Sequence, residues 1–150
     1  MTRRRTHGRP ALPLAGAVVA LGLLLGGCAA GDVEAARTAW AAAGVPDYAY
    51  VLDAGCGERA LYGRFEVTVE DDVVVEVVGP DGSVEPETFT SWGGATIPDL
   101  LDRLADDAGH LTAFDADPAT GVPTRYELDP LPEAIDDEEC ATISDFTPAE

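Results

Sequence analysis

The sequence predicts an α+β domain: an antiparallel β-sheet with two helices packed on one face. Three stretches carry that prediction. Along Arg64-Phe65-Glu66-Val67-Thr68-Val69-Glu70, apolar and polar residues alternate without a break, the period of a strand with one wet face. Asp71-Asp72 follows as a two-residue turn into Val73–Val78, so the two strands form a hairpin. Further on, Ile97, Leu100, Leu101, Leu104, Ala105 and Ala108 recur at helical spacing, while Asp99, Asp102, Arg103, Asp106 and Asp107 mark the opposite, wet side.

The remaining elements follow in chain order. A helix is expected from Asp32, a natural N-cap, with Glu34 in its first turn and Val33, Ala36, Trp40 and Ala43 on one face. Gly44 and Pro46 stop it. Tyr48, Tyr50 and Leu52 alternate with Ala49 and Val51 as a first strand, and the hairpin comes next, closed by Gly79-Pro80-Asp81-Gly82. Ser83 to Ala95 reads as a loop whose Phe89 and Trp92 fold back on the core. Thr96-Ile97-Pro98-Asp99 resembles a capping box at the start of the second helix, and Gly109 caps its end. Leu111–Phe114, Thr124–Leu128 and Thr142–Phe146 are the last three strands, giving the order α-β-β-β-α-β-β-β.

Ahead of the domain, Arg3, Arg4, Arg5 and Arg9 precede an uncharged apolar run from about Ala11 to Leu25, the anatomy of an export signal. The run is short and rich in Gly for a permanent membrane span, which wants about 20 apolar residues. Leu25-Gly26-Gly27-Cys28 resembles the lipobox of bacterial lipoproteins. That resemblance implies a diacylglyceryl group on Cys28, cleavage just before it, and Cys28 as the new N-terminus.

Removal of residues 1–27 makes the charge extreme. Four of the nine basic residues leave and no acid does, so five Arg face 28 Asp and Glu, a balance of −23, and the chain contains no Lys. Such a surface repels phosphate and excludes nucleic acid or a bare anionic bilayer as a partner; it favours cations or a basic envelope protein. An acid-rich, Lys-free composition also arises from base composition or a salty habitat. With Cys28 lipidated, Cys56 and Cys140 remain as an even pair, and an oxidising compartment makes a disulfide their default fate. The competing reading, two metal ligands, lacks further partners: His110 is the one histidine after the signal, and there is no Cys-x-x-Cys.

Several blocks of the chain occur in an order that resembles a domain-of-unknown-function family of bacterial, often actinobacterial, secreted lipoproteins. They are Tyr48-Ala49-Tyr50 with Cys56, Thr96 to Leu104, Phe114-Asp115, Gly121-Val122-Pro123-Thr124, Asp136-Asp137-Glu138-Glu139 and Ile143-Ser144-Asp145-Phe146. The resemblance spans Trp40 to Phe146. Phe114 stands where a Tyr is usual, and Val122 where an aromatic often sits. What the resemblance implies is a lipoprotein of unknown activity.

Asp115, Asp117, Asp129, Asp136, Asp137, Glu138 and Glu139 are hard oxygen donors of the kind calcium takes. The spacing does not fit an EF-hand, because Ala119 and Thr120 stand where a third ligand and the turn glycine belong, and turn chemistry explains Asp115 to Pro123 better. A hydrolase triad would have to use His110, which reads as an exposed loop residue, and no Gly-x-Ser-x-Gly is present. The sequence thus divides into a signal (1–27), a lipidated N-terminus and tether (28–31) and one domain (32–150), anchored through its lipid to the outer face of the plasma membrane in the cell envelope. It assigns no catalytic, cofactor or metal residue. A binding or envelope-structural module is expected rather than an enzyme, with a small hydrolase using paired carboxylates or a calcium-dependent scaffold as alternatives and the oligomeric state left open.

Overall fold

A computed structural model describes residues 28–149, with the side chain of Cys28 left aside; the proposed signal, residues 1–27, lies outside the described residues. The chain forms helix α1 (Cys28–Ala43) and strands β1 (Tyr48–Ala54), β2 (Gly63–Glu70), β3 (Val73–Gly79) and β4 (Gly82–Val84). Helices α2 (Pro86–Ser91) and α3 (Ile97–Asp106) follow, then strands β5 (Leu111–Ala116), β6 (Pro123–Leu128) and β7 (Glu139–Pro148). The expected α+β class is observed, with seven strands in one antiparallel sheet ordered β4-β3-β2-β1-β7-β6-β5.

The topology follows from where hairpins are possible. From β1 the chain steps outward to β4, through a longer loop into β2 and then through two-residue turns into β3 and β4. The helices then carry it across the sheet to the far edge, from which β5, β6 and β7 step back inward until β7 meets β1. The β2–β3 turn is the two-residue type anticipated: Asp71 and Asp72 both have positive φ, 51° and 60°, as a type I′ hairpin requires. Its tip is stitched to the α1–β1 connection. Asp71 donates its N–H to the Asp47 carboxylate at 2.7 Å, and Asp72 donates to the Pro46 carbonyl at 3.1 Å.

Alternation decides which face is dry. Tyr48, Tyr50, Leu52 and Ala54 of β1 are buried in register with Val69, Val67, Phe65 and Gly63 of β2, while Asp53 and the charged residues of β2 point to water. On the dry side Val33, Ala36 and Trp40 of α1 and Ile97, Leu100, Leu101 and Leu104 of α3 complete a single core. Trp40 stands edge-on to Tyr48 with ring centroids 5.2 Å apart, and Phe89 of α2 meets Phe65 at 5.6 Å. The arrangement buries Trp40, Tyr48, Tyr50, Phe65, Phe89 and Tyr126, whose area contributes most to such a core.

Several boundaries differ from expectation. Helix α1 begins at Cys28, four residues before the expected cap Asp32, because Ala29 and Ala30 are strong helix formers and extend it. Residues 29–31 are therefore helical, and Ala43 at the other end is exposed. The segment expected as a loop, Ser83 to Ala95, contains β4 and α2, so the dry face carries three helices instead of two. The overlooked start signal was Pro86 in the first turn of α2 with Glu87 beside it. Helix α3 opens at the anticipated box: Thr96 Oγ1 accepts from the Asp99 N–H at 3.3 Å and donates to the Asp99 carboxylate at 2.8 Å. It ends at Asp106, and Gly109 falls inside a short 3-10 turn (Ala108–His110) in place of capping the helix.

Gly121 shows the tightest packing constraint. Its φ is +78°, and a Cβ there would run into the Ala36 carbonyl and the Trp40 N–H of α1. The loop before β6 therefore rests directly on the helix backbone. Gly121→Ala combines left-handed strain with overpacking, and its unfolding free energy should fall by about 2–4 kcal/mol. Urea denaturation is the measurement: the midpoint should drop while the slope stays constant.

Candidate functional site

The one pair that the sequence joins covalently is found where the strand pairing puts it. Antiparallel register between β1 and β7 sets Ala54 opposite Ala141, and the chain just beyond carries Gly55 onto Cys140, with the Gly55 N–H bonded to the Cys140 carbonyl at 3.1 Å. Cys56 and Cys140 are disulfide-bonded, with their Cα atoms 5.4 Å apart, closing a sequence separation of 84 residues. Chain-entropy reasoning gives such a loop about 4 kcal/mol of stabilisation. Next to it Gly57, with φ +72°, lies against the Glu138 carbonyl, so the acidic segment before β7 is held close to the disulfide.

Beside the disulfide, Glu139 is held by two arginines and a tyrosine. Arg103 of α3 grips it with two hydrogen bonds, Nη2 to Oε1 at 2.7 Å and Nη1 to Oε2 at 3.0 Å. Arg59 approaches from the other side at 3.2 Å, and the Tyr126 hydroxyl donates to Oε1 at 3.0 Å. The Arg103 guanidinium also lies 5.7 Å from the centre of the Tyr126 ring. The Glu139 side chain is only 12 % exposed. Burial alone would raise its pKa, but the Arg103 hydrogen bonds and charge hold the carboxyl below its usual range. Burial dominates at Tyr126 and keeps its phenol protonated. Both arginines converge on the one carboxylate, which is the geometry of a structural clamp between α3 and the sheet; the Arg103 Nε is buried without a hydrogen-bond partner among the described residues.

The other candidate ligands go to separate tasks. The Asp117 carboxylate accepts from the N–H groups of Ala119 and Thr120 at 2.9 and 2.8 Å and from the Thr120 hydroxyl at 3.0 Å, which lowers its pKa and builds the turn into Gly121. Asp115 faces Arg125 at 4.0 Å. Asp136 takes a positive φ of 69° in the loop before β7. Both carboxylate oxygens of Asp137 and one of Asp129 are buried without a hydrogen-bond partner among the described residues. Among those residues no three His, Cys, Asp or Glu side chains converge as metal ligands would. His110 is exposed in the 3-10 turn, and the described helices include none long and apolar enough to cross a membrane.

The feature the sequence did not reveal is a cleft of about 750 Å³ between the β2–β3 hairpin, α2 and the start of α3. Val74, Pro86, Gly94 and Ala95 supply apolar walls, and Asp72, Glu87 and Asp99 stand around it. Two tyrosines of β1 fix its inner wall. The Tyr50 hydroxyl donates to the Ala95 carbonyl, and the Tyr48 hydroxyl accepts from the Ile97 N–H at 2.8 Å. Burial raises both phenol pKa values, that of Tyr48 to about 12. Gly94 is pressed against the ring of Phe89, where a Cβ would collide. Its walls come from three separate elements, and nothing in the periodicity of Ser83 to Ala95 announces that they meet.

These features define a single-sheet α+β domain with helices on one face, closed by one disulfide and bearing an acid-rimmed cleft. The chain belongs to the family of unknown function DUF6174, whose profile matches residues 32–148. It matches no curated protein and no solved structure.

The Glu139 clamp makes a pH-dependent prediction. A carboxyl whose folded pKa lies below its ordinary value of 4.5 contributes stability that is fully present above that value and is lost as pH falls through the folded pKa. Glu139→Gln should cost about 1–3 kcal/mol at pH 7, because it removes the charge that satisfies Arg103. It should also flatten the fall in stability below about pH 4.5. Chemical denaturation at stepped pH reads both effects.

Proposed function

We propose that the protein is a membrane-anchored extracytoplasmic lipoprotein whose domain works as a non-catalytic binding module of the cell envelope. The observation that carries the anchoring is the position of Cys28. It ends a lipobox-like tetrapeptide, opens α1, and lies four residues before the region shared with the family. From Cys28 to Val33, the first buried residue of α1, is five residues, or about 7.5 Å of helix at 1.5 Å per residue. A lipid on Cys28 thus holds the domain within about one Debye length of the headgroups. The disulfide suits an oxidising compartment.

The binding role is supported by how the polar chemistry is distributed. Glu139, mostly buried, is held ionised between two arginines, which opposes general-acid use of the kind that needs a raised carboxyl pKa. The cleft beside α2 instead combines apolar walls with carboxylates at its margin, a surface suited to holding a partner.

Anchoring is tested by fractionation of expressing cells with mass spectrometry of the mature N-terminus. Wild-type protein should partition with membranes and begin at a diacylglyceryl-modified Cys28. Cys28→Ser should shift it to the soluble fraction. A soluble, unmodified wild-type form would overturn the proposal.

A further inference from the structure

We infer that the cleft is a strand-addition site, and that its occupant is an extended segment of a basic partner protein carrying alternating cationic and aliphatic residues. This deepens the binding-module reading and rests on it. The inference starts from the edge of β3. Strand β4 has three residues and pairs only with Val77, Val78 and Gly79, so Val73, Val74 and Glu76 pair with β2 on one side, Val75 bulges out of that ladder, and none of the four has a strand on the other side. None of these four residues has a backbone hydrogen-bond partner outside the β2 ladder among the described residues. In a two-residue hairpin the flanking pair, Glu70 and Val73, exchanges the closing hydrogen bonds. The next residue, Val74, therefore turns its N–H and C=O to the open side, along the wall of the cleft. Val73 and Val75 are 60 % and 43 % exposed, apolar side chains on an edge that a folded domain ordinarily blunts.

Charge selects the occupant. Asp72, Glu87 and Asp99 line the cleft, and Asp71 and Glu76 flank the open edge. All five arginines of the described residues are engaged elsewhere: Arg37 with Glu34 and Asp102, Arg59 and Arg103 with Glu139, Arg64 with Asp145, and Arg125 with Asp115 and Glu127. The rim is thus acidic with no arginine beside it. A second copy of this chain is a poor occupant, since pairing β3 with β3 would set two acidic edges together on bodies whose net charge, already −19, becomes −23 once the proposed signal is removed. A basic strand meets both demands. Its main chain continues the sheet at Val74, alternate aliphatic side chains cover Val74, Pro86 and Ala95, and the intervening cations meet the rim.

The test uses full-length protein purified in detergent and a fluorescent octapeptide of four Lys-Val repeats. A control peptide of the same sequence is N-methylated at alternate residues; it keeps its charge but loses one hydrogen-bonding edge. Anisotropy should show the octapeptide binding at least tenfold tighter than the methylated control. Hydrogen exchange read by mass spectrometry should slow at least fivefold over residues 72–77 on binding. Glu87→Gln, on the surface of α2, should weaken binding several-fold while the domain stays folded. Equal binding of both peptides would mean attraction by charge alone and would overturn strand addition, as would protection confined to another segment. Concentration-dependent dimerisation blocked by the peptide would make a second copy the occupant and would overturn the basic-partner assignment. The fractionation of Cys28→Ser reads anchoring independently of every one of these outcomes.

Discussion

The two tyrosine hydroxyls of β1 are the constraint on which the rest of the structure depends. β1 is central in the sheet, bonded on one side to β2 and on the other to β7, and so joins the halves of the chain. Its Tyr48 and Tyr50 rings fill the core while their hydroxyls reach past it to the Ile97 N–H and the Ala95 carbonyl. A helix N-terminus has N–H groups without partners inside the helix, and burying Ile97 completely would leave one orphaned without Tyr48. The strand thus sets where α3 begins, α3 places Arg103 over the sheet, and Arg103 holds Glu139 at the start of β7. The Tyr-x-Tyr block, the Thr96 box and the acidic block are three parts of one connected support.

The same chain of contacts accounts for the use of a scarce residue type. Of the five arginines among the described residues, the fold places two on the single carboxylate of Glu139, the only arginine-paired carboxylate among those residues that is mostly buried. The remaining three stabilise exposed pairs that contribute little. The cost of this allocation is an uncompensated acidic surface around the hairpin tip and α2. That surface is where the cleft opens, so the stability of one side of the sheet and the charge of the other have a common origin.

Much of the fold was legible because its signals are local. The alternation of Phe65, Val67 and Val69, the Asp71-Asp72 turn, the stripe from Ile97 to Leu104 and the Thr96 cap each depend on residues a few positions apart. The pairing of Cys56 with Cys140 followed from counting. What escaped depends on distance. The Arg103–Glu139 clamp joins residues 36 apart, and Gly121 is required by the backbone of a helix some 80 residues earlier. Glu139 looked like one member of an acidic run, and only the register of β7 with β6 and β1 separates it from Asp136 and Asp137. The cleft was illegible for another reason: α2 is only six residues long, too short for its periodicity to stand out from the loop around it.

The most direct test of this account is amide hydrogen exchange on Tyr48→Phe, which keeps the ring and removes only the hydroxyl. If the phenol anchors α3, exchange should accelerate at Ile97 and through the first turn of that helix, and global stability should fall by about 1–3 kcal/mol. The β1–β2 and β1–β7 ladders should keep their relative protection. Unchanged exchange at Ile97 with unchanged stability would contradict the claim that the central strand positions the helix through this hydroxyl.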